Sequence, residues 1–144
     1  MKASVEFPKK MAMAYDAICR PLCQELKLPQ TALDILLFLA NNPAYQTAGE
    51  IVSIRKLRAN LVSVNVERLV EEGYLTREAV AGDRRKTLLR LTERAAPVVQ
   101  RGREIQKDFF RMLFRGVSPE EQAQFLATMT VMEQSLDEIL KERG

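Results

Sequence analysis

The segment 47–92 constrains the fold most, because two helix-length stretches are followed directly by two extended runs. Thr47 opens a capping-box pattern, which predicts a short helix to about Lys56. A second helix is expected over 59–72, and Gly73 supplies the residue type that commonly ends a helix. Two short helices this close together indicate a helix-turn-helix.

The extended runs lie over 74–80 and 86–91, and the stretch 81–85 between them is polar and contains a glycine. Apolar, β-favouring runs on either side of such a turn predict a β-hairpin. A hairpin directly after a helix-turn-helix predicts a winged helix-turn-helix.

Long amphipathic helices are expected on both sides of this module. The first covers 5–26, and the second, over 29–40, is apolar on most sides and should be central. A long helix should start with Thr92 as its cap and run to about Phe114. The last helix should start at Ser118 and carries a stripe of apolar residues, Phe125, Met129, Met132, Leu136 and Ile139.

The predicted fold class is therefore mainly α with a small β-hairpin wing. We expect three segments: an N-terminal dimerisation helix (1–30), a winged helix-turn-helix domain (31–92) and C-terminal dimerisation helices (93–144). The terminal helices are too amphipathic to stand alone, and packing across a two-fold axis in a homodimer is the simplest way to cover them.

Composition excludes several classes of protein. The 144 residues include no histidine, the commonest general base and zinc ligand, and no glycine-rich phosphate loop is visible. An enzyme, a cofactor and a metal site are therefore not expected. The longest apolar run, 32–40, is too short to span a bilayer, and no stretch of signal-peptide type is present, so we expect no membrane association and a cytoplasmic location.

The helix over 59–72 carries the residue types that read the major groove. With Val62 placed inward, a mixed polar and aliphatic set falls outside or on the flanks. Asparagine can bind adenine, arginine can bind guanine, and an aliphatic side chain can contact the thymine methyl. Glu67 on the same face must lie over base edges or clear of the phosphates. The predicted contacts are Arg58, Asn60, Leu61, Ser63, Val64 and Arg68; the alternative is a solvated face of a structural helix.

The turn of the hairpin concentrates positive charge. Asp83 is followed by Arg84, Arg85 and Lys86, and a narrow minor groove attracts an inserted arginine. Arg84 and Lys86 are expected to meet phosphates, as are the backbone amides beside Thr47 at a helix N-terminus. An ordinary solvated turn and an ordinary helix cap are the alternatives.

The stretch 47–92 resembles the MarR family of bacterial transcription regulators. The matching residues are Ile51, Val62-Ser63, Arg68-Leu69 and Gly73-Tyr74-Leu75, followed by the wing pattern Asp83-x-Arg85 with Leu89-x-Leu91-Thr92. The resemblance implies a homodimer that binds double-stranded DNA, with Arg85 inserted into the minor groove and Asp83 paired with it.

The same resemblance implies a small aromatic or amphipathic effector, bound where the dimer helices meet the DNA-binding module. Tyr15, Leu36 and Phe109 are candidates for its pocket, and plain core packing is the alternative. Some relatives sense peroxides through a cysteine in the first helix. Cys19 and Cys23 lie one turn apart there, and small apolar packing residues are the alternative.

These observations predict a regulator, specifically a repressor, that binds a pseudo-palindromic operator as a homodimer with ligand-dependent affinity. Two alternatives stay open: a cysteine-based redox-sensing regulator, and a winged-helix interaction module that no longer binds DNA.

Overall fold

A computed structural model describes residues 5–144, and over this range it has six helices and two strands. The predicted fold class is confirmed. The chain divides after Phe109 into two compact units. The elements are α1 (Glu6–Leu26), α2 (Gln30–Asn41), α3 (Ala48–Arg55), α4 (Ala59–Glu71), β1 (Leu75–Val80), β2 (Asp83–Leu91), α5 (Ala95–Leu113) and α6 (Pro119–Arg143).

The core of the first unit is built around α2, as its nearly continuous apolar sequence predicts. Seven of its twelve residues are buried, and the helix packs against α1, α4 and β2. Ile51 of α3 and Leu69 of α4 are fully buried in the same cluster. A helix covered on most sides fixes the elements that pack on it, so α2 sets the position of α4, the second helix of the helix-turn-helix.

The helix-turn-helix forms as its caps predict. The Thr47 side chain accepts a hydrogen bond from the Glu50 amide at 3.2 Å, which starts α3. Lys56 ends α3 in the left-handed conformation, with φ of 55°. Arg58 then stands in extended geometry before α4 begins.

The hairpin differs from the prediction in the length of its turn. We expected a turn over 81–85, but β2 begins at Asp83, and the turn is the pair Ala81-Gly82, with Gly82 at φ of 84°. The strands are antiparallel and pair Leu75 with Leu91 through to Ala79 with Thr87, after which Val80 pairs with Asp83. The β1 strand advances one residue across this last step while β2 advances four. Residues 84–86 therefore bulge out of the ladder.

The predicted cap of the fifth helix was also wrong. Thr92 does not cap α5, because its hydroxyl donates a hydrogen bond of 2.6 Å to the carbonyl of Gly73. The Thr92 amide bonds to the carbonyl of Tyr74 at 3.1 Å, and α5 begins three residues later at Ala95. Thr92 thus fastens the end of the wing to the end of α4.

The second unit consists of the last residues of α5 and all of α6. Ser118 and Glu121 form the predicted capping box at the start of α6. Phe114 and Phe125 make an edge-to-face contact with ring centroids 5.8 Å apart. No residue of α6 is buried, although it carries eight large apolar side chains that are between 39% and 68% exposed: Phe125, Leu126, Met129, Val131, Met132, Leu136, Ile139 and Leu140.

Across residues 5–144, no helix combines the length and the hydropathy needed to cross a membrane.

Candidate nucleic-acid interface

The helix α4 presents four of the predicted contact residues to solvent. Asn60 and Ser63 are exposed, Leu61 is 41% exposed and Val64 is 67% exposed. The inward side of the helix is buried, as the sequence predicts, through Val62, Val66 and Leu69. The structure therefore places a mixed amide, hydroxyl and aliphatic surface on the outside of the second helix of the helix-turn-helix.

Glu67, which the sequence predicted to lie either over base edges or clear of the phosphates, forms an ion pair with the wing. Its Oε2 lies 2.8 Å from Nη2 of Arg77 on β1. The Arg77 charge offsets the repulsion that Glu67 would exert on a phosphate, and the pair ties α4 to the hairpin. Sequence reasoning missed Arg77, which lies on β1 directly opposite the buried Leu89 of β2.

Arg68 makes contacts within the protein, and its base-reading role stays a prediction. Its Nη2 donates a hydrogen bond of 2.6 Å to the carbonyl of Lys27, and its Nε lies 3.4 Å from Oε1 of Glu72. Lys27 is the C-terminal cap of α1 and has a left-handed φ of 54°. A cation suits the negative end of a helix dipole, so Arg68 joins α4 to the end of α1 instead of extending outward with Val64.

The start of α4 is held by its own side chains. Asn60 Oδ1 accepts a hydrogen bond of 2.9 Å from the Leu61 amide, and the buried Asn65 donates to the Leu61 carbonyl at 2.8 Å. Arg58, the residue before the helix, is exposed. Arg58 and Asn60 are therefore placed at the end of α4 that helix-turn-helix proteins direct at base edges.

The tip of the wing is the bulge that holds Arg84, Arg85 and Lys86, all three exposed. Asp83 Oδ1 accepts a hydrogen bond of 2.9 Å from the backbone amide of Arg85. The expected pairing of Asp83 with Arg85 thus exists, but it joins the carboxylate to the amide and not to the guanidinium. Asp83 orders the backbone of the bulge, and the Arg85 side chain extends from an anchored position.

A second polar cluster fastens the hairpin to the segment before α3. Arg90 Nε lies 2.8 Å from Glu78 Oε2, and its Nη1 donates to Gln46 Oε1 at 2.8 Å. The Leu89 amide also bonds to the Gln46 carbonyl at 2.8 Å. The wing is therefore held at α3 as well as at α4. Sequence reasoning missed these residues because a contact across 44 positions leaves no local signal.

Thr47 is confirmed as a cap, and its phosphate contact stays a prediction. Its hydroxyl donates to Glu50 Oε1 at 2.8 Å, and the Gln46 amide bonds to the same oxygen at 3.3 Å. A phosphate at this helix end would meet the backbone amides and the nearby Glu50 carboxylate.

Of the three predicted pocket residues, the structure brings two into contact. The rings of Tyr15 and Phe109 meet edge to face at 5.4 Å, while Leu36 is fully buried in the core. The Tyr15 hydroxyl accepts a hydrogen bond of 3.2 Å from Gln106, and burial raises its pKa above the ordinary value. A separate open cleft of about 610 Å³ contains none of the three and is lined by residues that include Ala40, Leu91, Val99, Gln100, Arg103 and Lys107.

Both cysteines are free thiols in a packed setting. Cys19 is buried, and half-buried Cys23 donates a weak hydrogen bond to Gln30 Oε1 at 3.6 Å. Burial raises the pKa of both thiols, to about 11 for Cys23. A raised pKa lowers the thiolate fraction on which peroxide chemistry depends. Among the described residues, no cluster of three acidic, cysteine or histidine side chains could hold a metal ion.

Comparison with solved structures gives the same fold for the whole chain. A Listeria monocytogenes protein assigned to the MarR family of transcriptional regulators, crystallised with a 26mer DNA, matches with a TM-score of 0.81 and 17% identity over 100% of this chain and 97% of that one. The transcriptional regulator SlyA matches with a TM-score of 0.78 and 18% identity over 97% and 98% of the two chains. The S. aureus MepR–DNA complex matches with a TM-score of 0.72 and 18% identity over 92% and 96%.

The model of the MarR family matches residues 26–86, a range that holds α2, α3, α4, β1 and the tip of the wing. The likeness to solved structures shows the fold, and the family model covers the part of the chain between α2 and the tip of the wing. The resemblance seen in the sequence is therefore confirmed: residues 26–86 match the MarR family, and the chain shares its fold with solved proteins of that family.

Proposed function

We propose that the protein is a transcriptional repressor that binds a pseudo-palindromic operator as a homodimer, with an affinity that a small aromatic or amphipathic ligand modulates. The observation that carries the proposal is the placement of two DNA-reading surfaces on one module. The exposed face of α4 and the bulged cationic tip at 84–86 belong to one unit, in which the Arg77–Glu67 ion pair joins the wing to α4 and the Arg90–Glu78 ion pair joins its two strands.

The contacts divide by groove. The face of α4 carries an amide, a hydroxyl and aliphatic groups, which suit base edges in the major groove. The wing carries guanidinium and ammonium groups, which suit phosphates and a narrow minor groove. Arg85 is the inserting residue, because Asp83 anchors its backbone, and Arg84 and Lys86 flank it as phosphate contacts.

The homodimer is supported by α6. Its eight large apolar side chains are all at least 39% exposed in a single copy of the chain, and exposed apolar side chains gathered on one helix mark an interaction surface. A second copy of the chain covers that surface in the proposed dimer. Binding to one face of B-DNA would require the two α4 helices of the dimer to lie about 34 Å apart, and two-fold symmetry then calls for a pseudo-palindromic site.

Ligand modulation is supported by a polar chain that joins three helices of the first unit. Gln106 of α5 donates to Tyr15 of α1 and accepts from Asn41 at the end of α2. Arg103 of α5 binds the Asn41 side chain and the Ala40 carbonyl, both at 3.0 Å. A ligand that displaces Gln106 would therefore alter the end of α2, from which the DNA-binding helices continue. Its affinity would differ between the two states, as modulation requires.

DNA binding is tested by fluorescence anisotropy with duplexes from the region upstream of the protein's own gene, against a random duplex. We expect preferential binding that weakens steeply as salt rises, because phosphate contacts release counterions. Absence of salt-dependent binding to any duplex would favour an interaction module that no longer binds DNA.

The dimer is tested separately by light scattering on Leu136→Asp, with Gln134→Asp as the matched control. Both residues are exposed on α6, so neither change disturbs the core of a protomer. We expect the Leu136 variant to dissociate and the Gln134 variant to stay dimeric. A Leu136 variant that remains a dimer would contradict the assignment of α6.

A further inference from the structure

The middle of the exposed α4 face, from Asn60 to Val64, carries no guanidinium, and this has a consequence for the DNA sequence. We infer that Val64 and Leu61 bind the 5-methyl groups of thymines, and that this part of α4 selects A·T pairs in each half-site. The inference rests on the proposed function and specifies the DNA that the same surface takes.

Arg58 lies before the first residue of α4, while the two arginines beside the middle of this face, Arg68 and Arg77, are committed elsewhere. Arg68 binds the carbonyl of Lys27 at 2.6 Å and Glu72 at 3.4 Å. Arg77 binds Glu67 at 2.8 Å. Reading guanine requires a guanidinium aimed at its O6 and N7 atoms. Each of these arginines would have to release a formed contact to do so.

The groups that remain on the face favour A·T pairs. Val64 is the more exposed aliphatic side chain of α4, at 67%, and Asn60 lies one turn before it on the same side. Asparagine pairs with the N6 and N7 atoms of adenine, and an aliphatic group contacts the thymine methyl. Leu61, 41% exposed, widens the apolar surface on one flank, and Ser63 accepts or donates on the other.

Contact of apolar surface with water is unfavourable in free energy, and binding of Val64 to a thymine methyl would remove such surface from water. A methyl group buried between protein and DNA leaves water, and the expected gain is about fourfold in affinity for each methyl. The methyl of thymine lies only in the major groove, so it reports on α4 and not on a wing in the minor groove.

The test starts from a half-site selected out of a random-sequence duplex pool by the full-length protein. Each thymine of that half-site is then replaced by deoxyuridine, which removes the methyl and leaves base pairing intact. We expect wild-type affinity to fall about fourfold at one or two thymines. Val64→Ala should bind the original duplex more weakly and lose its response to deoxyuridine at one of those positions, and Leu61→Ala should do so at a neighbouring one.

Two matched controls make the coupling specific. Ile54→Ala removes an aliphatic side chain of similar exposure, 44%, from α3, and Arg85→Ala changes the wing. Both should leave the response to deoxyuridine unchanged, because effects at sites that do not touch are additive.

The outcomes separate this inference from the proposed function. If the protein selects a site but deoxyuridine has no effect, or if Val64→Ala and Ile54→Ala respond alike, the methyl contact is wrong while DNA binding stands. A selected half-site with no A·T pair at any position whose binding depends on Val64 or Leu61 also overturns it. If no sequence is selected at all, the proposed function itself fails.

Discussion

Gly102 of α5 lies so close to Leu37 of α2 that a Cβ atom on residue 102 would stand 2.7 Å from Leu37 Cδ2 and 3.0 Å from Cδ1. Both residues are buried. A side chain at residue 102 would fit only if the buried Leu37 side chain shifted. The contact holds α5 directly against the helix that organises the core of the first unit.

Replacing Gly102 by alanine should therefore destabilise the protein. Overpacking of a well-packed site costs roughly 1–3 kcal/mol, and the better helix propensity of alanine offsets part of that. We expect a lower free energy of unfolding in urea denaturation.

Gly49→Ala is the matched control for this substitution. A Cβ at residue 49 would meet only Thr47 Oγ1 at 4.0 Å, so stability should be unchanged or higher. Leu37→Val introduced together with Gly102→Ala should recover part of the loss. An additive double variant would show that the two residues do not clash.

The wing tip gives a second prediction. Arg85→Ala should weaken operator binding by roughly 1–3 kcal/mol without changing the melting temperature, because the Arg85 side chain is exposed and its backbone contact remains. Arg84→Ala should weaken all duplexes alike and lower the salt dependence by about one ion. Anisotropy titrations at several salt concentrations measure both effects. Wild-type affinity in the Arg85 variant would contradict insertion of this residue.

A substitution of Arg68 tests whether this residue joins α4 to the end of α1 or reads a base. Arg68→Ala removes the hydrogen bond to the Lys27 carbonyl, which should cost about 1 kcal/mol of stability. We expect DNA affinity to fall uniformly over duplexes with single base changes, because α4 loses a fixed position. The measurement is a comparison of single-base variants of the operator. A relaxed preference at one base pair, with stability unchanged, would restore the base-reading role.

The cysteines give a prediction about pH. The pKa of Cys23 is raised from 9.0 to about 11, so its thiolate fraction at neutral pH should be about a hundredfold lower than that of an ordinary thiol. Alkylation by iodoacetamide, followed by mass spectrometry, should be slow at pH 7 and accelerate as pH rises toward 11. Because the folded state favours the protonated thiol, stability is fully present below pH 9 and decreases as pH rises through 11.

Cys23→Ser serves as the control for the alkylation experiment. Fast modification of the wild-type protein at pH 7 and loss of DNA binding with peroxide would instead support the redox-sensing alternative.

Much of this fold is predictable from local patterns. The stripe of α1, the apolar α2 and the cap at Thr47 depend on residues within one or two helical turns of one another, and the structure confirms them. The prediction that Thr92 caps α5 was wrong because a threonine before a helix can use its hydroxyl to cap that helix or to bind another part of the chain. The acceptor of its hydrogen bond is the carbonyl of Gly73, which is 19 residues away and becomes a neighbour only after the hairpin folds.

The same limit applies to the candidate interface. Helical periodicity correctly placed Val62 inside and Val64 outside. It could not show that Arg68 reaches Lys27, across 41 positions, or that Glu67 meets Arg77. Periodicity gives the direction in which a side chain leaves its helix, while its partner depends on which other element lies in that direction.

The exposed residues of the bulge at 84–86 are different residues from those whose pairing holds the two strands of the hairpin together. Substitutions there remove no rung between the strands, since the register continues from Thr87 onward without them. New target preferences can therefore arise at this tip by single mutations that the fold tolerates, and closely related proteins are expected to diverge there first.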